Sequence, residues 1–182
     1  MLITGCAANR ADQVTALDVK SQAARDKLAA GRRAELSAAV GQEHREREIV
    51  QRILAAAQGY MGTRYCYGGT SASGFDCSGF VQTVYKKLDY DLPHSSRDQA
   101  RLGAPVAQAD LMPGDLVFFD IRHAGVISHV GIYIGNGDIL HASVHTGVTI
   151  DNLSEDYYRS RYHTARRILR PEDQFLASSS GS

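Results

Sequence analysis

The spacing of apolar residues divides the chain into a polar N-terminal part and a region that can fold around a core. Residues 7–46 are rich in Ala, Arg, Gln and Glu and poor in large apolar side chains, so they have little to bury. We expect a flexible tether there, with some helix. From Glu48 onward, Ile49, Ile53 and Ala57 recur at helical spacing, which predicts an amphipathic helix lying on a core.

The apolar pattern also sets the end of the folded region. Pro171 stops the last strand pattern, and the segment ASSSGS is too small and polar to pack. The predicted organisation is therefore an N-terminal start and tether over residues 1–46, one folded domain over residues 47–170 and a disordered tail over residues 171–182.

Within the folded domain, period-two patterns predict an antiparallel sheet. LVFF, HVGIYI and DILHAS predict strands, and the turn GNG joins the last two as a hairpin. A hairpin about this turn places His129 opposite a residue between 141 and 144. His141 is thus predicted at or next to the cross-strand position, on the same face as His129, with Cβ atoms about 5 Å apart.

The segment GFDCSGF places a cysteine at the start of a second helix. Asp76 is a good N-cap for the apolar positions that follow, which puts Cys77 in the first turn. Free amides and the helix dipole are expected to lower the pKa of this thiol from about 8.5 and to offer hydrogen bonds to an oxyanion. Ser78 and Gly79 are small and leave room for a substrate. A nucleophile is favoured over a buried structural cysteine.

Composition and charge exclude several classes of function. Twenty basic residues balance twenty acidic ones, so no global field draws the chain to nucleic acid or to an anionic membrane, and we expect no nucleic-acid partner. Three cysteines, Cys6, Cys66 and Cys77, lack CxxC spacing, which suits neither a disulfide framework nor a structural zinc site. No stretch approaches the roughly 20 apolar residues that a membrane-spanning helix needs.

The first residues carry a separate signal. Leu2–Cys6 resembles the lipobox of bacterial lipoproteins, in which the cysteine becomes the lipidated N-terminus. Only five residues precede Cys6, which is shorter than a full signal peptide. The resemblance implies a lipid anchor through Cys6, and an unstructured N-terminal thiol is the alternative.

The predicted histidine pair has three interpretations. His129 and His141 can serve Cys77 as base and orienting partner, since a cysteine nucleophile needs a histidine within hydrogen-bond reach. One of them can instead be a satisfied core histidine. A metal site with Cys77 as third ligand is least favoured, because no carboxylate or cysteine lies at ligand spacing beside the histidines. The other histidines are assigned no chemistry: His44, His94, His123, His145 and His163.

Four segments together resemble the NlpC/P60 family of bacterial cell-wall cysteine peptidases. They occur in the family's order: RYCYGGTSASGFDCSGFVQ, MPGDLVFF, HVGIYIGNG and ILHAS. The resemblance covers residues 48–170 and implies a papain-like α+β fold, with a helix carrying the cysteine packed on a central antiparallel sheet carrying the histidines. It implies Cys77 as nucleophile, His129 as general base and His141 as orienting third member. It also implies that the Tyr65 hydroxyl faces the active site.

The same resemblance implies a substrate. We expect hydrolysis of peptidoglycan stem peptides without metal or cofactor, with Tyr65 and the first-turn amides at Ser78 binding the oxyanion or the substrate. The cross-link between D-alanine and meso-diaminopimelate is favoured over the bond between γ-D-glutamate and diaminopimelate. A periplasmic monomer is expected, held at the outer membrane if Cys6 is lipidated. The alternatives are a catalytically silent wall-binding lipoprotein and a thiol enzyme acting on a lipid or small amide.

Overall fold

The computed structural model of the protein describes residues 8–169, with side chains from residue 21 onward. The lipobox-like segment with Cys6 and the predicted tail over residues 171–182 lie outside these residues. The chain divides into two compact units, Met1–His44 and Arg45–Ser182.

A single helix, α1, runs from Ala8 to Ala57 and contributes residues to both units. Where the sequence predicted a flexible tether with some helix, the structure has regular helix throughout. Ala, Arg, Gln and Glu have high helix propensity, so this composition favours a helix even without a buried face. Side chains of residues 21–40 are exposed. None of the helices in the part of the chain that the structure describes is both long enough and apolar enough to cross a bilayer.

The second unit contains the end of α1 and the remaining elements. Ile49, Ile53 and Ala57 are buried in its core, so the predicted amphipathic face is confirmed. The other helices are α2 (Cys77–Lys86), α3 (Ser96–Gln99) and α4 (Asp156–Arg159). The strands are β1 (Thr70–Ser71), β2 (Gly74–Phe75), β3 (Ala104–Val106), β4 (Leu116–Phe119), β5 (His129–Gly135), β6 (Asp138–Ser143), β7 (Gly147–Asn152) and β8 (Tyr162–Arg167).

Six of these strands form one antiparallel sheet in the order β3-β8-β4-β5-β6-β7. The predicted hairpin between β5 and β6 is confirmed. Its turn contains Asn136 at φ 54° and Gly137 at φ 83°, the left-handed conformation that Asn and Gly tolerate best. Hairpin geometry fixes the register, which pairs Ile132 with Leu140 and Tyr133 with Ile139.

The two faces of the sheet bury different clusters. One face packs against α2 and the end of α1, and it presents Leu116, Phe118, Val130, Ile132, Leu140 and Ala142. The alternate positions belong to a second cluster of Val117, Phe119, Ile139, Leu153 and Tyr158. His129 pairs with Phe119 across β4 and β5, so it belongs to this second face. The candidate site forms at the N-terminus of α2, where the Cys77 sulfur is hydrogen-bonded to the backbone of Val130 near the start of β5.

Candidate active site

Helix α2 begins at Cys77 because Asp76 caps its first turn. The Asp76 carboxylate accepts hydrogen bonds from the Gly79 amide at 2.7 Å, the Ser78 hydroxyl at 3.0 Å and the Gly68 amide at 2.9 Å. The predicted N-cap is confirmed, and Cys77 is the first residue of the helix. The cap thus fixes the first turn of α2, which contains both Cys77 and the backbone amides that the helix leaves free.

The thiol of Cys77 is protected from solvent, with 7% of the residue exposed. Burial, followed by the neighbouring Asp76 carboxylate, raises its pKa to about 11. Hydrogen bonds from the backbone at Val130 and Ser78 act in the opposite direction. The first-turn amides act in the predicted direction, but desolvation of the thiolate outweighs them, so the pKa is raised where the sequence predicted a lowered one.

The two predicted histidines are in direct contact. His129 Nε2 and His141 Nδ1 are 2.9 Å apart, and the rings are nearly perpendicular. Extending the register by one residue beyond the pair Ile132 and Leu140 places Gly131 opposite His141, so the two histidines are diagonal rather than direct neighbours. A Cβ at Gly131 would lie 3.2 Å from the His141 Cβ. The missing side chain at Gly131 gives the rings room to meet.

The hydrogen-bonded row continues beyond His141. His141 Nε2 lies 3.0 Å from Asp151 Oδ2 on β7, and the Tyr158 hydroxyl on α4 donates to the same oxygen at 2.5 Å. The Tyr158 hydroxyl is also 3.3 Å from His141 Nε2. Sequence reasoning missed Asp151 and Tyr158, because neither β7 nor α4 was predicted. The sequence offered no signal for Asp151, because its place beside His141 depends on the pairing of β7 with β6.

Burial keeps both histidines neutral. Burial, followed by the adjacent His141, lowers the pKa of His129 to about 3. Burial likewise lowers the pKa of His141, although the hydrogen bond and charge of Asp151 act against it. The site therefore combines a protonated thiol with two uncharged imidazoles. Among residues 8–169, no group of three His, Cys, Asp or Glu side chains is placed to hold a metal ion.

Tyr65 and Ser78 line the same cleft as Cys77. Burial, followed by the proximity of Cys77 and Asp76, raises the pKa of Tyr65 to about 12. Its hydroxyl therefore remains a hydrogen-bond donor at neutral pH. The Ser78 hydroxyl is engaged with Asp76, so the backbone amide is the group that Ser78 can offer to a ligand.

The cleft has a volume of about 850 Å³ and is bordered by two loops. Arg97 Nε donates a hydrogen bond to the Ile127 carbonyl at 3.2 Å, which links α3 to the loop after β4. His94, which the sequence analysis assigned no chemistry, lies 3.0 Å from both Asp76 oxygens. The His94 ring therefore lies beside the residue that caps the cysteine helix.

Comparison with known proteins agrees with this geometry. The family model described as "NlpC/P60 family" matches residues 62–167. The protein named murein DD-endopeptidase MepS/murein LD-carboxypeptidase of Escherichia coli K12 is 41% identical over 123 residues, which are 67% of this chain and 64% of that protein. The gamma-DL-glutamyl hydrolase of Bacillus subtilis 168 is 43% identical over 118 residues, covering 64% of this chain and 29% of that protein.

A solved structure shows the same fold. The crystal structure of an NlpC/P60 family protein from Bacillus cereus superposes with a TM-score of 0.63 at 36% identity, covering 66% of this chain and 40% of that chain. The chain thus spans less than two thirds of the length of each of these relatives. The family resemblance stated from the sequence is confirmed, as is its α+β fold class.

Proposed function

Because the chain belongs to the NlpC/P60 family, we propose that it is a cysteine endopeptidase that hydrolyses amide bonds in the stem peptides of peptidoglycan. The observation that carries this proposal is the placement of Cys77 at a helix N-terminus in one cleft with the hydrogen-bonded pair His129 and His141. A nucleophile, a base and a partner for the base are the components of covalent acyl transfer.

In the proposed mechanism, His129 is the general base and Cys77 the nucleophile. His129 Nε2 is bonded to His141, which leaves Nδ1 to take the thiol proton. The sulfur then attacks the amide carbonyl, the C–N bond breaks, and His129 returns the proton to the leaving amine. Water hydrolyses the thioester. Because the Cys77 thiol and the His129 imidazole are both neutral, proton transfer accompanies the attack rather than preceding it.

The negative charge that develops on the carbonyl oxygen needs hydrogen-bond donors. First-turn amides of α2 around Ser78 supply fixed donors, and the Tyr65 hydroxyl supplies another because its raised pKa keeps it protonated. We assign oxyanion or substrate binding to both residues on this basis.

We propose the D-alanine to meso-diaminopimelate cross-link as the bond that is cut. The Escherichia coli relative is named a murein DD-endopeptidase, and its similarity extends over two thirds of this chain. The competing bond, γ-D-glutamate to diaminopimelate, draws support from the Bacillus subtilis relative named a gamma-DL-glutamyl hydrolase. The loops containing residues 92–99 and 121–128 border the cleft and would decide between them.

Mass spectrometry of purified cross-linked muropeptides tests both the activity and the bond. Wild-type protein is expected to convert dimers to intact monomers, while Cys77→Ala leaves them unchanged. Fragments broken after γ-D-glutamate would move the assignment to the second bond. Turnover that persists in Cys77→Ala would refute the covalent mechanism.

A catalytically silent wall-binding protein is the second candidate, and the raised pKa of the buried Cys77 thiol is the observation that favours it. Alkylation by iodoacetamide is expected to be slow in either case. Turnover therefore decides: binding of muropeptides without any product would support the silent protein.

We also propose that the protein works in the cell envelope as a monomer, with Cys6 as the attachment point of a lipid. Peptidoglycan lies in this compartment, and the lipobox-like Leu2–Cys6 supplies the anchoring signal. A Cys6→Ser variant is expected to move the protein from the membrane fraction to the soluble fraction. An unchanged distribution would rule the anchor out.

A further inference from the structure

Asp151 and Tyr158 extend the hydrogen-bonded chain that begins with His129 and His141. The mechanism above uses neither of them. Resting on the proposed function, we propose that Asp151 is a positioning residue that fixes the tautomers of both histidines, with Tyr158 holding its carboxylate in place. The three contacts that carry this inference are His129 to His141 at 2.9 Å, His141 to Asp151 at 3.0 Å and Tyr158 to Asp151 at 2.5 Å.

The direction of each hydrogen bond follows from the carboxylate. A carboxylate only accepts hydrogen bonds, so the His141 Nε2 that contacts Asp151 carries a proton. In a neutral imidazole the other nitrogen is then an acceptor, and His141 Nδ1 accepts from His129 Nε2. His129 therefore also carries its proton on Nε2, which leaves a lone pair on Nδ1.

That lone pair is what a base must present to the Cys77 thiol. In the opposite tautomer, His129 would direct an N–H group at the cysteine and could accept no proton. Asp151 thus controls the base from two hydrogen bonds away. It acts through His141 and does not touch the reacting atoms.

The fold holds Asp151 in register with the histidines. β7 pairs with β6 so that Thr149 is opposite His141 and Asp151 is opposite Ile139, which makes Asp151 a diagonal neighbour of His141 on the same face. Tyr158 is 5% exposed, and its ring packs on Phe119 at 5.4 Å between centroids. Its hydroxyl is therefore a fixed donor to the carboxylate.

If Asp151 is replaced by an apolar residue, Tyr158 favours the opposite tautomer of His141. Its hydroxyl lies 3.3 Å from His141 Nε2, and without Asp151 this nitrogen is the remaining acceptor within reach. His141 would then accept on Nε2 and carry its proton on Nδ1. His129 would accept from that proton on Nε2, and its own proton would face Cys77.

Asp151→Leu removes the acceptor at similar side-chain size and tests this prediction. The measurement is the protonation of the histidine ring nitrogens at neutral pH by long-range proton–nitrogen NMR, together with kcat and KM on cross-linked muropeptides. Wild type is expected to carry its protons on Nε2 of both rings, and Asp151→Leu on Nδ1 of both. We expect kcat to fall about 10- to 100-fold, up to the lower end of the roughly 100- to 10,000-fold contribution of general acid–base catalysis, with KM nearly unchanged.

Two further variants separate positioning from a structural effect. Asp151→Leu combined with Tyr158→Phe removes the competing donor and is expected to recover part of kcat. Asp156→Leu makes the same change at a 90% exposed carboxylate on α4 and is expected to leave the histidine signals and kcat as in wild type.

The NMR spectrum of the wild type tests the predicted tautomers even if a variant does not fold. A proton on His129 Nδ1 in the wild type would overturn the inference, as would Asp151→Leu protein that keeps both protons on Nε2. Because the spectrum needs no turnover, it is independent of the proposed function. If the wild type shows the expected tautomers but does not hydrolyse muropeptides, the proposed endopeptidase function is refuted and the role of Asp151 stands. If it hydrolyses muropeptides but shows the reversed tautomers, the role of Asp151 is refuted and the function stands.

Discussion

At the scale of single residues, Cys77 shows that position on a helix does not by itself set the reactivity of a thiol. The helix N-terminus was expected to lower its pKa, yet burial and Asp76 raise it to about 11. The sequence reveals the N-cap, but it does not reveal how much solvent reaches the sulfur. The site as folded therefore holds a neutral thiol and a neutral imidazole in one cleft. In the proposed mechanism, the first-turn amides and the Tyr65 hydroxyl then stabilise the charge that develops on the substrate carbonyl.

The raised pKa predicts the pH dependence of Cys77 alkylation. Only the thiolate reacts, so the rate constant for iodoacetamide should rise about tenfold per pH unit toward the pKa of about 11. Peptide mass spectrometry can follow Cys77 and the exposed Cys66 in the same sample. At neutral pH, Cys66 should be alkylated first. A Cys77 rate that is already at its plateau at neutral pH would contradict the burial argument.

At the scale of elements, the β5–β6 hairpin was predictable and the β7–α4 segment was not. The turn GNG between two alternating strands fixes a register, and that register brought His129 and His141 together in the prediction. In β7, only Gly147 and Val148 are buried, so the strand lacks the alternation of buried apolar and exposed polar residues that identifies a strand in a sequence. Asp151 could not be assigned to the site for this reason, since its role depends on the pairing of β7 with β6.

Gly131→Ala tests whether the hairpin leaves space for the histidine contact. The added Cβ would lie 3.2 Å from the His141 Cβ, so either the ring or the strand must shift. We expect kcat on muropeptides to fall while the free energy of unfolding, from urea titration, decreases by about 1–3 kcal/mol. Gly59→Ala is the control, because no atom lies within 4 Å of its added Cβ. Equal effects of the two substitutions on kcat would show that the space at Gly131 is unimportant.

At the scale of the whole molecule, the chain combines a folded unit that contains the complete site with an N-terminal helical unit that contributes none of its residues. Cys77, His129, His141, Asp151 and Tyr158 all belong to Arg45–Ser182. The boundary predicted near residue 47 lies close to this division, but α1 runs across it without a break. The appearance of large apolar residues marks where α1 begins to be buried. Residues with high helix propensity occur on both sides of that point, so the helix itself continues.

This division predicts that a chain starting at residue 45 folds and retains the wild-type kcat/KM on soluble muropeptides. It keeps Ile49 and Ile53, which are the first side chains of α1 in the core. A chain starting at residue 55 is the matched control. It loses both isoleucines, each worth about 2–5 kcal/mol by comparison with truncation to alanine, and is expected to be unfolded by circular dichroism. If the chain from residue 45 folds but hydrolyses muropeptides much more slowly than the full chain, the first unit takes part in substrate binding or catalysis.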